Sequence, residues 1–190
     1  MARPRTFDEE RAVEAAMRAF WRVGYEATST EDLCAATGLG RSSIYNAFSS
    51  KHELFEQALR RYMAQRTGAL LELLDGDRPI REKLRVVLWW AVDPTPDDPL
   101  GCLVVNSIVE LAPHDPPIAA LLRRDQEQRL TALRTAIAAG QRAGEIAPDR
   151  DPLALAHFVV ATIQGMQVAA RAGADRDVLA AIATTALGAF

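Results

Sequence analysis

The sequence has few cysteines, few aromatic residues and no long apolar run. Two of its 190 residues are cysteine and 6% are aromatic. Two cysteines cannot form the disulfide framework of a small secreted domain, so the composition favours a reducing, cytoplasmic location. No apolar run approaches the ~20 residues that a membrane helix requires, and residues 1–10 lack the apolar core of a signal peptide. We therefore expect a protein without a membrane partner.

Sequence motifs of catalysis and metal binding are also missing. The chain has no glycine-rich phosphate loop, no Gly-x-Ser-x-Gly turn and no His-Glu-x-x-His helix. Its three histidines, His52, His114 and His157, are scattered and share no ligand spacing. These absences predict a protein that is not an enzyme and that has no cofactor and no metal site.

Strand patterns are nearly absent, while Ala, Leu, Arg and Glu dominate. The apolar periodicity and the helix breakers predict an all-α fold of about nine helices. The first begins at Thr6, in the capping-box pattern Thr6-x-x-Glu9, and ends before Gly24. The others are predicted at residues 29–37, 41–48, 50 to 68 or beyond, 79–92, 100–112, 116–143, 151–172 and 175–188.

The net charge of −3 is unevenly distributed. Residues 1–66 carry ten Lys/Arg and nine Asp/Glu, whereas residues 67–190 carry twelve and sixteen. The acidity therefore belongs to the second part of the chain, and the total does not exclude nucleic acid as a partner of the first. We predict a domain of residues 1–50, linked by a helix at 51–68 to a domain that spans 51–190.

Residues 29–48 have the plan of a helix-turn-helix, in which a second short helix lies in the DNA major groove. The two short helices are separated by a glycine turn, where Gly38 can adopt positive φ without steric cost. Leu33, Leu39 and Ile44 are spaced to form a small core between these helices. The pattern predicts a nucleic-acid-binding module.

The other face of the second short helix is polar and carries Arg41, Ser42, Ser43, Tyr45 and Asn46. Arginine can read guanine and asparagine can read adenine, while hydroxyl groups reach bases or phosphates. Tyr45, together with Thr30 and Lys51, is predicted to hold the DNA backbone. A purely structural helical bundle is the alternative interpretation. The arm Ala2-Arg3-Pro4-Arg5 is a candidate for the minor groove or a solvated terminus.

The sequence resembles the TetR family of transcriptional repressors. The resemblance rests on three segments, which are Gly24-Tyr25-x-x-Thr28-Ser29, Glu31-Asp32-Leu33-x-x-x-Thr37-Gly38-Leu39 and Arg41-Ser42-Ser43-Ile44-Tyr45-x-x-Phe48-x-Ser50-Lys51-x-x-Leu54. It covers roughly residues 7–60, and the nine-helix layout extends it along the chain. One departure is Gly40, which stands where the family often has a Ser or Thr cap; glycine remains an acceptable cap.

The resemblance implies a homodimer that binds double-stranded operator DNA and releases it when a small-molecule effector enters the C-terminal domain. By position, it implies that Thr28 and Thr30 contact phosphates, that Arg41, Ser42, Ser43 and Asn46 face the groove, and that Tyr45 and Lys51 hold the backbone. It also implies a dimer interface built from the helices at 151–172 and 175–188. Intramolecular core is the competing interpretation of those helix faces.

The predicted effector site is less specific. Cys102, Asn106 and Glu110 share one face of an otherwise apolar helix, and Trp89, Trp90, His157 and Gln164 are candidates for the remaining wall. Cys102 is expected in the first turn of its helix, where the helix dipole favours a thiolate. It is either a sensor of electrophiles, as in a subset of the family, or a small core residue.

Together these features predict a dimeric, ligand-responsive repressor of the TetR type, released from a pseudo-palindromic operator by a small-molecule inducer, with an electrophile as one option. Three alternatives remain open at this point. They are an activator with the same motif, a helical binding or adaptor protein without DNA function, and an enzyme. The effector and the operator sequence are not encoded in any recognisable motif.

Overall fold

Capping residues and helix breakers divide the chain at nearly every predicted boundary. The computed structural model describes residues 8–190, and every regular element in that part of the chain is an α-helix. The elements are α1 (Glu9–Val23), α2 (Thr30–Thr37), α3 (Arg41–Phe48), α4 (Lys51–Asp75), α5 (Ile80–Val92), α6 (Leu103–Glu110), α7 (Pro116–Arg142), α8 (Pro152–Arg171) and α9 (Arg176–Leu187). For the described residues, the all-α prediction is confirmed.

Six helices begin after an Asp or Ser whose side chain accepts hydrogen bonds from backbone N–H groups of the first turn. Such a cap satisfies donors that have no partner within the helix and contributes about 1 kcal/mol. The capping residues are Asp8, Ser29, Ser50, Asp115, Asp151 and Asp175. These local contacts explain why the sequence predicted so many of the helix starts.

Two boundaries differ from the prediction. The cap of α1 is Asp8, while the predicted cap Thr6, like the arm at residues 2–5, lies outside the described residues. Helix α4 ends at Asp75, as the prediction of a helix to residue 68 or beyond allows. Helix α6 begins only at Leu103, because Cys102 has an extended backbone with φ −140° and ψ 125°.

The hydrophobic core around α1 extends well beyond the helix-turn-helix. Phe20 and Phe55 are completely buried, and their rings meet edge to face with centroids 5.1 Å apart. Leu33 of α2 and Ile44 of α3 pack into the same cluster, which also includes Leu103 of α6. The predicted short-helix core is therefore part of one continuous cluster that α4 and α6 share.

The remaining helices form the rest of the body around two further clusters. One is built on α5, α7 and α8, with Leu84, Ile137 and Val159 at its centre. The other joins α5, α8 and α9 around Leu88 and Ala183. These helices enclose the space in which the effector site was predicted.

The prediction that no segment has the length of a membrane span is wrong for α8. This helix has 20 residues with a mean hydropathy of 1.5, which is long and apolar enough to cross a membrane by length and composition. A third of that window is buried within the chain, and its inner face packs on α5, α7 and α9. Both an apolar inner face and an apolar outer face therefore account for its hydropathy.

Candidate DNA interface and effector cavity

The helix-turn-helix is held in shape by local hydrogen bonds. The Ser29 hydroxyl and the Asp32 carboxylate form a complete capping box at the start of α2, and these bonds lower the pKa of Asp32. Gly38 ends the helix at φ 69°, in the left-handed region that glycine adopts without strain. Gly40 precedes α3 and offers no side-chain cap. The predicted turn chemistry is thus present at each position.

The solvent face of α3 carries the predicted base-reading side chains. Arg41, Ser42 and Asn46 are exposed, whereas Ser43 is half-buried. Ser42 and Asn46 are four residues apart, so they lie on the same side of the helix. On the opposite side Ile44 is fixed in the core. This arrangement leaves donors and acceptors free along one edge of a short, rigid helix.

Tyr45 connects α3 with α2. Its hydroxyl lies 3.2 Å from the Thr30 hydroxyl, and the Arg41 guanidinium lies over its ring at 5.7 Å from the centroid. The three predicted contact residues Thr30, Arg41 and Tyr45 are therefore joined by direct contacts. They form a polar cluster at the edge of the α3 face.

Lys51 is the first residue of α4, directly after the cap Ser50. Its ammonium group lies 4.4 Å from the centroid of the Tyr25 ring, a cation–π contact that restricts the side chain. The positive end of the α4 dipole adds to its charge at this place. Lys51 and the α4 N-terminus therefore provide a positive site suited to a phosphate.

The predicted phosphate contact of the Thr28 hydroxyl is wrong. Thr28 is completely buried, and its hydroxyl donates to the Gly24 carbonyl at 2.6 Å. Its role is to close the corner between α1 and α2. A Thr in a tight loop before a helix cap reads equally well as an exposed or a buried residue, so the sequence carried no signal that could separate the two.

A cavity of about 300 Å³ lies between α4, α5, α7, α8 and the loop before α6. Three of the predicted effector residues line it, and these are Trp90, Cys102 and Gln164. Most of its remaining wall is apolar. The apolar wall includes Trp21, Met63, Leu70, Val87, Val104, Leu133, Val160 and Ile163.

Four predicted effector residues lie elsewhere, so their placement in this cavity is corrected. Trp89 packs against the α5–α8–α9 cluster under the Arg85 guanidinium. His157 is exposed on α8 and lies outside this cavity and the adjoining groove. Asn106 and Glu110 line a shallower groove with Val109 and Arg171, next to the cavity. Their i, i+4 spacing was correct, but it turns their side chains away from the cavity.

Cys102 lies at the wall shared by the cavity and the groove. It is the residue before α6 rather than a member of its first turn. The Tyr62 hydroxyl donates to its Sγ at 3.4 Å. Burial, together with Cys102, raises the pKa of Tyr62 well above its ordinary value, so this phenol remains a donor toward the sulfur at any physiological pH.

The sequence analysis missed the charged residues of the cavity. Arg66 packs on the rings of Trp21 and Tyr62 and pairs with Asp98 at 2.6 Å. Asp125 and Arg129 lie one turn apart on α7 and face the same space. Amphipathic charge patterns usually mark solvent-facing positions, and only packing turned these side chains inward.

The C-terminus of α1 is tied to α6 and α8 by side chains, which we call the α1 clamp. Both Glu110 carboxylate oxygens accept backbone N–H groups, those of Tyr25 at 2.9 Å and Glu26 at 2.7 Å. Arg171 donates to the carbonyls of Trp21 and Arg22, each at 3.4 Å. Basic groups at a helix C-terminus also interact favourably with its dipole.

The clamp reaches the cavity through a second bond. The Trp21 indole N–H donates to the Gly101 carbonyl at 3.0 Å, and Gly101 directly precedes Cys102. Asn106 adds a contact to the Trp21 carbonyl at 3.4 Å. The loop that lines the cavity is therefore bonded to α1, the helix that precedes the helix-turn-helix.

Helices α8 and α9 expose several large apolar side chains. The largest are Leu153, Phe158 and Val168 on α8, and Val178 and Ile182 on α9. Phe158 is 41% exposed, and its ring lies 6.3 Å from that of Phe190. Exposed aromatic and branched residues on neighbouring helices are typical of an oligomer interface. Across residues 8–190, no group of three or more His, Cys, Asp or Glu side chains is placed to hold a metal ion.

Two family models match the chain. The model described as "Bacterial regulatory proteins, tetR family" matches residues 12–58, and "Tetracyclin repressor-like, C-terminal domain" matches residues 80–186. The first therefore covers the helix-turn-helix, and the second covers most of the helices that enclose the cavity.

Curated relatives and solved structures agree with these matches. The HTH-type transcriptional repressor ComR of Escherichia coli (strain K12) is 34% identical over 188 residues, 97% of this chain and 90% of ComR. The repressor DhaR of Mycobacterium sp. (strain GP1) is 30% identical, over 85% of this chain and 81% of DhaR. A cysteine mutant of the TetR family regulator CifR, complexed with a 26-bp operator DNA, has a TM-score of 0.87 at 31% identity, with both chains fully covered. The chain therefore belongs to the TetR family of DNA-binding transcriptional regulators.

Proposed function

We propose that the protein is a homodimeric repressor that is released from a pseudo-palindromic operator by a small molecule. The observation that carries this proposal is the α3 face, where Arg41, Ser42 and Asn46 are exposed while Tyr45 and Lys51 are held in position beside them. Side chains fixed before DNA arrives lose little conformational entropy on binding. The repressor names of ComR and DhaR support the same direction of regulation.

A twofold dimer presents two α3 helices to two half-sites of the operator. The exposed apolar faces of α8 and α9 supply a self-complementary surface for this dimer. The domain division at residue 50 follows from the same reasoning, with residues 1–50 as the DNA-binding part and residues 51–190 as the part that binds the effector and the partner subunit.

The α1 clamp connects the effector cavity with the helix-turn-helix. An effector that displaces the loop at Gly101 pulls on Trp21, and a shift of α6 pulls on the Glu110 contacts to Tyr25 and Glu26. Because both half-sites must be contacted together, a small change in the separation of the two α3 helices lowers operator affinity. The effector acts by binding more tightly to the conformation that does not fit the operator.

Cys102 is the candidate contact for an electrophilic effector. Its Sγ lies at the cavity wall, where the thiol would add across the C=C bond of a maleimide: the C–S bond forms as the π bond breaks, and the thiol proton passes to the adjacent carbon. The neighbouring Tyr62 hydroxyl stays protonated and donates toward the sulfur. Replacement Cys102→Ser should abolish operator release by an electrophile such as N-ethylmaleimide, while Cys34→Ser should not. If N-ethylmaleimide does not release the parent protein from the operator, Cys102 is a structural residue.

The function is tested by electrophoretic mobility shift with DNA from the region upstream of the protein's own gene. The double variant Tyr45→Ala and Lys51→Ala should lose specific binding while circular dichroism shows the same helix content. The control Arg134→Ala removes an exposed cation of α7 and should bind as the parent protein does. Unchanged affinity in the double variant would contradict the assignment of the DNA face. An inducer screen with a reporter gene then tests the response to ligands. If the protein binds this DNA and no compound releases it, the protein is a constitutive regulator rather than a ligand-responsive one.

A further inference from the structure

The effector cavity contains a guanidinium whose hydrogen-bonding capacity is incompletely used. Arg129 lines the cavity, with 20% of its side chain exposed. The Asp125 carboxylate lies 3.1 Å from Arg129 Nε, close enough for an ion pair, but it does not lie along the N–H bond. Neither Nε nor Nη2 has a hydrogen-bond acceptor, although both are buried. Such donors are rare in folded proteins because they cost free energy.

Asp125 cannot satisfy Arg129 alone, since it is also engaged elsewhere. Its Oδ1 accepts the buried Thr67 hydroxyl at 2.6 Å, which fixes the carboxylate. The two residues lie four positions apart on α7, so the helix also limits how their side chains meet. The guanidinium is therefore kept at the cavity with donor capacity to spare.

The pairing of the charged side chains in the cavity wall favours an anion over a cation. Its three carboxylates are Asp93, Asp98 and Asp125. Each has an arginine partner, and Asp98 has two, Arg18 and Arg66. Arg18 and Arg176 approach these carboxylates from outside the cavity, so the wall itself contains two guanidinium groups, Arg66 and Arg129. No carboxylate of the wall is left unpaired to hold a cation, whereas Arg129 keeps two donors without an acceptor.

We propose that the effector is a compact apolar monocarboxylate whose carboxylate group binds Arg129. Arginine binds carboxylates through parallel N–H···O bonds that are stronger than those between neutral groups. The apolar body of the molecule would lie against Leu70, Val87, Trp90 and Val160 in the same cavity. A volume of about 300 Å³ is at the lower end of ligand pockets, which limits the effector to a small molecule. This inference rests on the proposed function of the cavity as the effector site.

The test compares 2-naphthoate with 2-naphthamide, two probes of nearly equal shape that differ in charge. Isothermal titration calorimetry on the full-length protein should show the carboxylate binding about tenfold more tightly or better, as expected for one charge-assisted contact. Equal affinity of the two probes, or no binding of the carboxylate at millimolar concentration, would overturn the proposal. This comparison requires no variant and so does not depend on how a substitution folds.

A variant then assigns the preference to Arg129. The single change Arg129→Met would leave Asp125 unpaired, so it is combined with Asp125→Asn, which retains an acceptor for Thr67. The double variant should bind both probes equally, and a preference that survives in it would contradict the assignment. Arg124→Met, which removes an exposed arginine of α7, is the control and should keep the preference. Operator binding is measured separately, so carboxylate binding by a protein that does not bind DNA would refute the proposed function and leave a carboxylate site without an effector role.

Discussion

The Glu110 carboxylate lies 2.9 Å from the backbone nitrogen of Tyr25, across 85 residues of sequence. It joins the end of α6 to the loop that precedes the helix-turn-helix. A β-carbon built on the neighbouring Gly24 would lie 2.8 Å from the same carboxylate, and Gly24 has a φ of 95°. Only glycine therefore allows the carboxylate to approach this closely.

Replacement Glu110→Gln should weaken the α1 clamp. The amide has one acceptor oxygen, so one of the two N–H groups loses its partner and faces an NH₂ group. We expect a loss of about 0.5–1.5 kcal/mol in the free energy of unfolding, the net contribution of one hydrogen bond, because these donors are at most partly buried. Urea denaturation measures it. Glu127→Gln, at an exposed site of α7, is the control, and equal stability of the two variants would contradict a structural role of the clamp.

Arg41 and Lys51 should contribute differently to operator binding. Arg41→Ala should cost about 1–3 kcal/mol at one base pair and relax the preference there, because a side chain that reads a base edge is lost. Lys51→Ala should weaken binding to all sequences and reduce the salt dependence of log Kd by about one unit. Fluorescence anisotropy at several salt concentrations measures both. Identical effects on matched and mismatched operators for both variants would exclude base reading by Arg41.

Gly140 and Gly68 should respond in opposite directions to alanine. A β-carbon at Gly140 would lie 2.3 Å from Cγ2 of Ile80, whereas nothing lies within 4 Å of one at Gly68. Gly140→Ala should therefore destabilise the protein by about 1–3 kcal/mol through overpacking. Gly68→Ala in α4 should stabilise it by up to about 1 kcal/mol. Thermal unfolding of the two variants and of the parent protein measures both effects. A Gly140→Ala variant as stable as the parent would show that α5 and α7 can separate freely.

Asp115 should contribute stability that is lost in acid. Burial raises the pKa of this carboxyl, but the N–H of Ile118 and the ring of His52, 2.5 Å away, outweigh it and lower the pKa overall. A carboxyl whose pKa is lowered by folding stabilises the folded state at pH values above its unfolded pKa of about 3.9. This stabilisation disappears as the pH falls through the folded-state pKa. Urea unfolding of the parent and of Asp115→Asn should thus differ above pH 4 and converge in stronger acid. His52→Gln should reduce this difference, and curves that stay parallel throughout would refute the pairing.

Phe158→Glu should dissociate the proposed dimer. A charge placed in an apolar interface must be desolvated without a partner, which costs several kcal/mol. Light scattering after size-exclusion chromatography should give about twice the 20.8 kDa chain mass for the parent protein and the monomer mass for the variant. The control Thr131→Glu, at an exposed position of α7, should remain dimeric. A dimeric Phe158→Glu variant would place the interface elsewhere.

The sequence predicted the helices well because their ends are set by neighbours in the chain. The Ser29–Asp32 capping box, the left-handed Gly38 and the cap Ser50 involve residues within three or four positions of each other. The α3 face was equally predictable, since helical spacing alone places Ile44 inward and Arg41 with Asn46 outward. The error at Thr28 came from a loop, where no periodicity indicates which side faces solvent.

The sequence alone determined that the chain is helical, that a helix-turn-helix lies near its start, and that the chain resembles the TetR family. These are local properties of caps, turns and periodic patterns. Only the tertiary structure decided that Arg129 and Asp125 turn into a cavity, that Glu110 leaves the cavity for the backbone of Tyr25, and that Cys102 meets Tyr62. Those contacts depend on how α4, α6 and α7 pack across long stretches of chain, and no spacing within one helix specifies them.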